Sequence, residues 1–172
     1  MDSKTFLINS LFLIYTVLSA LTDLWYRKIY NSLTFPAIIL GITFNLIHFG
    51  LNGLALSVIG LLAGFGISII FYLAGGIGAG DVKFLAAVGS IMGTKFMLIG
   101  AFYGVILAGI YALWVLIKRQ RLFSTLKEIL TAVFLFITLR KPEHVKFGDE
   151  NSIYAPYAAF LAIGMLIKWA VG

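Results

Sequence analysis

No cysteine occurs in the chain, so disulfides, thiolate nucleophiles and cysteine-based zinc sites are excluded, and the redox compartment is left open. Serine-nucleophile motifs are missing too, as are soluble repeats and low-complexity tracts. Acidic residues are scarce: 7 Asp and Glu stand against 13 Lys and Arg in 172 residues. With so few carboxylates, those bordering apolar runs are the ones to explain. His48 and His144 lack the spacing of a helical metal pair, and the order of apolar runs puts them on opposite sides of a membrane. No metal and no cofactor is expected.

What is present is apolar. The chain is 61% hydrophobic with a mean hydropathy of +1.02, too much apolar surface for one soluble core of this size. The expected class is an all-α, polytopic integral membrane protein. A span needs about 20 apolar residues, which leaves room for about six transmembrane helices and none for a soluble domain. Residues 1–172 are therefore read as a single integral-membrane domain. The first apolar run continues to Leu24 without a small-residue cleavage site and is read as a retained span, not a signal peptide. The net charge of +6 sits between apolar runs, where it reports topology and contact with anionic membrane lipids, so no nucleic-acid partner is expected.

Taken in order, the expected spans run from about Thr5 to Leu21, Leu33 to Phe49, Leu54 to Ala74, Asp81 to Met92, Phe96 to Ile117 and Ile153 to Trp169. Asn31, Ser32 and Thr34 offer capping oxygens ahead of Pro36, at the start of the second. Gly50 to Gly53 makes the next turn. Gly60 and Gly64 in the third span have the small-xxx-small spacing that lets helices approach closely. Between Lys118 and Gly148, Leu122, Leu126, Ile129, Leu130, Val133 and Phe134 recur at spacings of three and four among basic residues. That pattern predicts an amphipathic helix on the cytoplasmic interface. Glu143, Asp149 and Glu150 belong to the basic inner loop and balance its charge. The layout places Arg27, Lys28, Lys83, Lys118, Arg119, Arg121, Lys127, Arg140, Lys141 and Lys146 inside and only Lys4, Lys95 and Lys168 outside, which predicts both termini outside.

The same layout puts Asp23, at the end of the first span, and Asp81, at the start of the fourth, together on the cytoplasmic side. An ionisable group near membrane depth costs about 2.5 kcal/mol or more, so such residues tend to be functional. Two carboxylates a few ångströms apart resist joint ionisation and share a proton, which equips them for general acid/base work on a peptide bond. Asp81 would start a helix, where the dipole favours charge. Asp23 would end one, so it is expected to hold the proton. The glycines of Gly78-Ala79-Gly80-Asp81-Val82-Lys83 would let an extended substrate backbone approach. Plainer roles fit the same residues: Asp81 as a helix cap, and Asp23 as an interfacial charge balanced by Arg27 or Lys28.

Asp-Leu-x-x-Arg-Lys-Ile-x-Asn (Asp23 to Asn31), together with Gly78-Ala79-Gly80-Asp81-Val82-Lys83, resembles the type IV prepilin peptidases, membrane aspartic proteases of the GxGD type. Tyr154 to Gly164 is similar to that family's final-span signature of a proline followed by aromatic and small residues. The resemblance implies cleavage of the leader of type IV prepilin-like or preflagellin-like precursors, after a glycine, at the cytoplasmic face of the inner membrane. It maps Asp23 and Asp81 onto the family's catalytic aspartates. Gly78, Gly80, Lys83, Arg27 and Asn31 match its motifs, with Lys83 read as positive-inside anchoring and Arg27 and Asn31 as holding the first cytoplasmic loop.

Two departures matter. Ile29-Tyr30-Asn31 stands where many members have Ile-Pro-Asn, and the cysteine-bearing insertion that larger members carry alongside methyltransferase activity is missing. A compact peptidase without N-methyltransferase activity is the expectation. Two rivals stay open: a proton-coupled carrier using the two aspartates, and a noncatalytic pilus-assembly factor. Carrier sites favour the membrane midplane, whereas both acids here border spans.

Overall fold

The structure, a computed structural model, describes residues 3–118 and 157–172. The described residues form five helices: α1 (Ser3–Tyr26), α2 (Asn31–Leu73), α3 (Ala79–Met92), α4 (Thr94–Lys118) and α5 (Tyr157–Val171). The expected interfacial amphipathic helix, the start of the final motif at Tyr154 to Pro156, His144, and the acids Glu143, Asp149 and Glu150 lie outside the described residues.

Two compact units divide the chain: Met1–Leu107 with Pro156–Gly172, and Ala108–Ala155. The described part of the second is residues 108–118. There the Tyr111 and Trp114 rings lie 6.2 Å apart, and the Lys118 ammonium sits 5.1 Å above the Trp114 ring. An aromatic and cationic cluster of this kind suits a helix end at a membrane interface. The other described residues make up the first unit.

Three helices are long and apolar enough to cross a membrane: Lys4–Tyr26, Asn31–Leu73 and Thr94–Lys118. The chain is a membrane protein. At about 1.5 Å per residue, the 43 residues of α2 would run roughly 65 Å if straight, about twice the hydrocarbon thickness. They do not run straight. Gly50 breaks the helix at φ 62°, ψ −147°, a conformation open to glycine alone. Asn45 Nδ2 then donates to Ser57 Oγ at 2.9 Å, across twelve positions that would span about 18 Å in a continuous helix. So α2 is a hairpin whose two arms coincide with the second and third apolar runs of the sequence. α3, at 14 residues, is shorter than the approximately 20 a full span needs, and α5 has 15 described residues.

α3 is the buried centre. Nearly every residue from Asp81 to Ile91 is shielded, and its main partner is the α2 hairpin. Small residues make this possible: a Cβ at Gly60 would fall on the Gly89 carbonyl, and one at Gly64 would meet the Leu85 carbonyl oxygen at 2.5 Å. The backbones therefore touch at the spacing that Gly60 and Gly64 announce in the sequence. Asn45 ties the arrangement together, also donating to the Gly41 carbonyl at 3.0 Å and the Ile91 carbonyl at 3.1 Å. On the other side, Phe12 of α1 meets Phe96 edge-on at 5.1 Å, and Tyr15 stacks on Phe84 of α3 at 5.8 Å. Gly100 and Gly104 of α4 admit Met165 and Leu161 of α5 in the same close manner.

The start of α2 departs from expectation. Its N-cap is Tyr30, extended at φ −78°, ψ 140°, with no side-chain cap bond, so the hydroxyls and amide of Asn31, Ser32 and Thr34 do not cap it. Thr34 Oγ1 instead donates back to the Tyr30 carbonyl at 3.2 Å. The reason is tertiary. Ile29 is buried at 4% exposure and pins the connection, and Tyr30 follows it as the N-cap of a helix that begins at Asn31.

Candidate active site

α1 ends in a left-handed turn. The Arg27 amide donates to the Asp23 carbonyl at 2.8 Å with Arg27 at φ 53°, a conformation costing a non-glycine residue about 1 kcal/mol. This turn reverses the chain and lowers Ile29 onto the start of α3, where a Cβ at Gly80 would lie 3.5 Å from Ile29 Cγ1. The end of α1, the α1–α2 connection and the first turn of α3 therefore meet.

Asp81 is the third residue of α3, and its Oδ2 accepts the amide of the N-cap residue Gly78 at 2.9 Å. The carboxylate thus caps its own helix and is aligned with the helix dipole. Asp23 approaches from α1. Its carboxylate faces the backbone amides of Ala158 and Ala159, at the start of α5, while its Oδ2 has no hydrogen-bond partner. The two acids are close enough for their charges to interact. They are also the only charged side chains that are fully buried among the described residues, at 7% and 6% exposure.

Asp23 ends α1 and also faces the amides of Ala158 and Ala159 in α5, so each of the two acids is met by backbone amides. Sequence reasoning singles out the motif containing Ala158 and Ala159 without placing it against Asp23. Its signal is the run of small residues that leaves backbone amides accessible.

The other sequence candidates divide. Gly78 and Gly80 are at the site. Neither has a positive φ, and a Cβ on either would make only ordinary contacts, at 3.4 and 3.5 Å. The fold does not require them to be glycine. Lys83 is half-buried, but two positions on from Asp81 it projects from a different face of α3. Arg27 and Asn31 are exposed, at the end of α1 and the first residue of α2. Among the described residues no group of three His, Cys, Asp or Glu is placed to hold a metal ion, and His48 packs on Phe44 at 4.3 Å.

Chemically, the site is a pair of interacting, buried carboxylates, one engaged by a backbone amide and one with a free oxygen, at the meeting point of three helix ends. Two acids so placed can divide the roles of general acid and general base between them. Comparison with known proteins gives a family match: the type IV leader peptidase family aligns with residues 10–113, more than half of the chain and including both aspartates. No curated protein and no solved structure matches the chain.

Proposed function

The chain belongs to the type IV leader peptidase family and is a membrane protease, and from that premise we propose that it removes the leader of type IV prepilin-like or preflagellin-like precursors with Asp23 and Asp81 as the catalytic pair. The observation that carries this reading is the convergence of two buried, interacting carboxylates from separate helices in an otherwise apolar interior. In the proposed reaction one aspartate, ionised, takes a proton from water as the water oxygen attacks the scissile carbonyl carbon. The other, protonated, gives its proton to the carbonyl oxygen. The tetrahedral gem-diol then collapses: the now ionised aspartate takes a proton from one of its hydroxyls as the C=O forms again, the other aspartic acid protonates the amine nitrogen, and the C–N bond breaks, returning the pair to one proton.

Basic residues around the α1–α2 connection support placing the site at the cytoplasmic face of the inner membrane. The short connection between α1 and α2, with no cysteine-bearing insertion, supports a peptidase without N-methyltransferase activity.

The test is to co-express a candidate precursor with the protein in membranes and follow the leader by mass. Loss of the leader after a glycine, with no methyl group added to the product, is expected. Several intact precursors of this class would overturn the reading.

Gly78→Ala and Gly80→Ala probe the substrate side. Ordinary space at both positions means each variant should insert and fold as the parent does. If the glycines exist to admit a substrate backbone, each variant raises KM by on the order of tenfold, about 1.4 kcal/mol. Unchanged KM in both would remove that role. Activity should also survive EDTA, since the proposed steps need only carboxylates and water; strong inhibition by chelator would count against the mechanism.

A further inference from the structure

The buried stripe of α1 changes character along its length. Ile8 and Phe12 give way to Tyr15, Thr16, Ser19 and Asp23, all in the interior, the two smaller hydroxyl residues at 0% exposure. The hydroxyl oxygens of Tyr15, Thr16 and Ser19, and Oδ2 of Asp23, have no hydrogen-bond partner among the described residues. The Tyr15 hydroxyl lies beside those of Ser19 and Thr34, and Thr34 donates to the Tyr30 carbonyl.

This is not how the rest of the interior treats its polar groups. Ser57, Ser68, Ser90 and Asn45 are as deeply buried, and every one is bonded to a carbonyl or a side chain. The unbonded oxygens are confined to one face of one helix, and they lead to the free oxygen of Asp23. An unbonded buried hydroxyl is unfavourable, and several together on one face call for a shared partner small enough to fit between side chains and able both to donate and to accept. Water has those properties. Ser19 and Asp23, both short side chains four apart on the helix, are separated by a rise of about 6 Å, roughly two hydrogen-bond lengths, so one water can bridge Ser19 to Asp23.

We propose that Tyr15, Thr16 and Ser19 form a water-holding row ending on the free oxygen of Asp23, with Ser19 as a positioning residue that presents the hydrolytic water. The positioning role rests on the aspartate peptidase reading; the water-holding role does not.

The two are tested separately. X-ray hydroxyl-radical footprinting of the full-length protein in detergent or lipid oxidises rings that have bound water beside them. Tyr15 should be labelled despite its burial, whereas Phe12, one turn away and at 0% exposure, should not. Thr16→Val and Ser19→Ala should each lower the labelling of Tyr15 several-fold. Labelling of Tyr15 no greater than that of Phe12 in the parent protein would overturn the water row. In the cleavage assay, Ser19→Ala should lower kcat on the order of tenfold with KM unchanged, a split that loosened packing alone would not give. Ser19→Ala with parental kcat would overturn the positioning role. If the parent protein cleaves no precursor, the peptidase reading falls and the footprint still decides whether the row holds water.

Discussion

Asp23→Asn and Asp81→Asn each abolish precursor cleavage while the protein remains inserted and folded. The expected loss is about a thousandfold or more for either, some 4 kcal/mol of transition-state stabilisation, and the double variant is no worse than the worse single. Non-additivity follows from the chemistry: with one carboxylate gone, the other has no partner to exchange the proton with. Asparagine is the discriminating replacement. At position 81 it keeps an oxygen that can accept the Gly78 amide, now bonded to the carboxylate at 2.9 Å, so the helix cap survives. Asp81→Ala removes the cap as well and should destabilise the protein by about 1 kcal/mol, confounding the result. Cleavage by precursor mass, alongside yield and thermal stability in detergent, separates the effects. A folded Asp81→Asn protein that still cleaves would reduce Asp81 to the capping role its geometry also supports.

The aspartates stand out in the sequence because a carboxylate at the edge of an apolar run is costly to keep unless it does work. Their meeting is not written locally. It depends on Ile29 seating against Gly80 and on α5 presenting the amides of Ala158 and Ala159 to Asp23, both consequences of packing between segments distant in the chain. The α2 hairpin was legible because Gly50 to Gly53 interrupts an apolar run too long for one crossing. The cap of α2 was not, since the propensities of Asn31, Ser32 and Thr34 lose to the burial of Ile29. The hydroxyls of Tyr15, Thr16 and Ser19 look ordinary in a membrane helix. Only their shared burial and lack of partners sets them apart.

Gly60→Ala tests whether the site is held by the scaffold inferred from those glycines. A single added methyl carbon would fall on the carbonyl of Gly89, and Gly89 returns the same contact to Gly60, so neither backbone can yield without separating the α2 hairpin from α3. Backbone atoms do not rotate aside as a flexible side chain would, and overpacking of this sort costs about 1–3 kcal/mol. Gly66→Ala is the control: on the same arm of α2, a Cβ there has nothing within 4 Å, and the helix gains from alanine. The expected result is a clear fall in thermal stability for Gly60→Ala and none for Gly66→Ala. Cleavage should fall further than stability explains. α3 carries Asp81 in its first turn and the Gly89 contact in its last, so a helix displaced by about 1 Å moves one carboxylate relative to the other and can cost a hundredfold in rate. Equal stability and equal activity in the two variants would mean that the close approach of α2 and α3 does not position the pair.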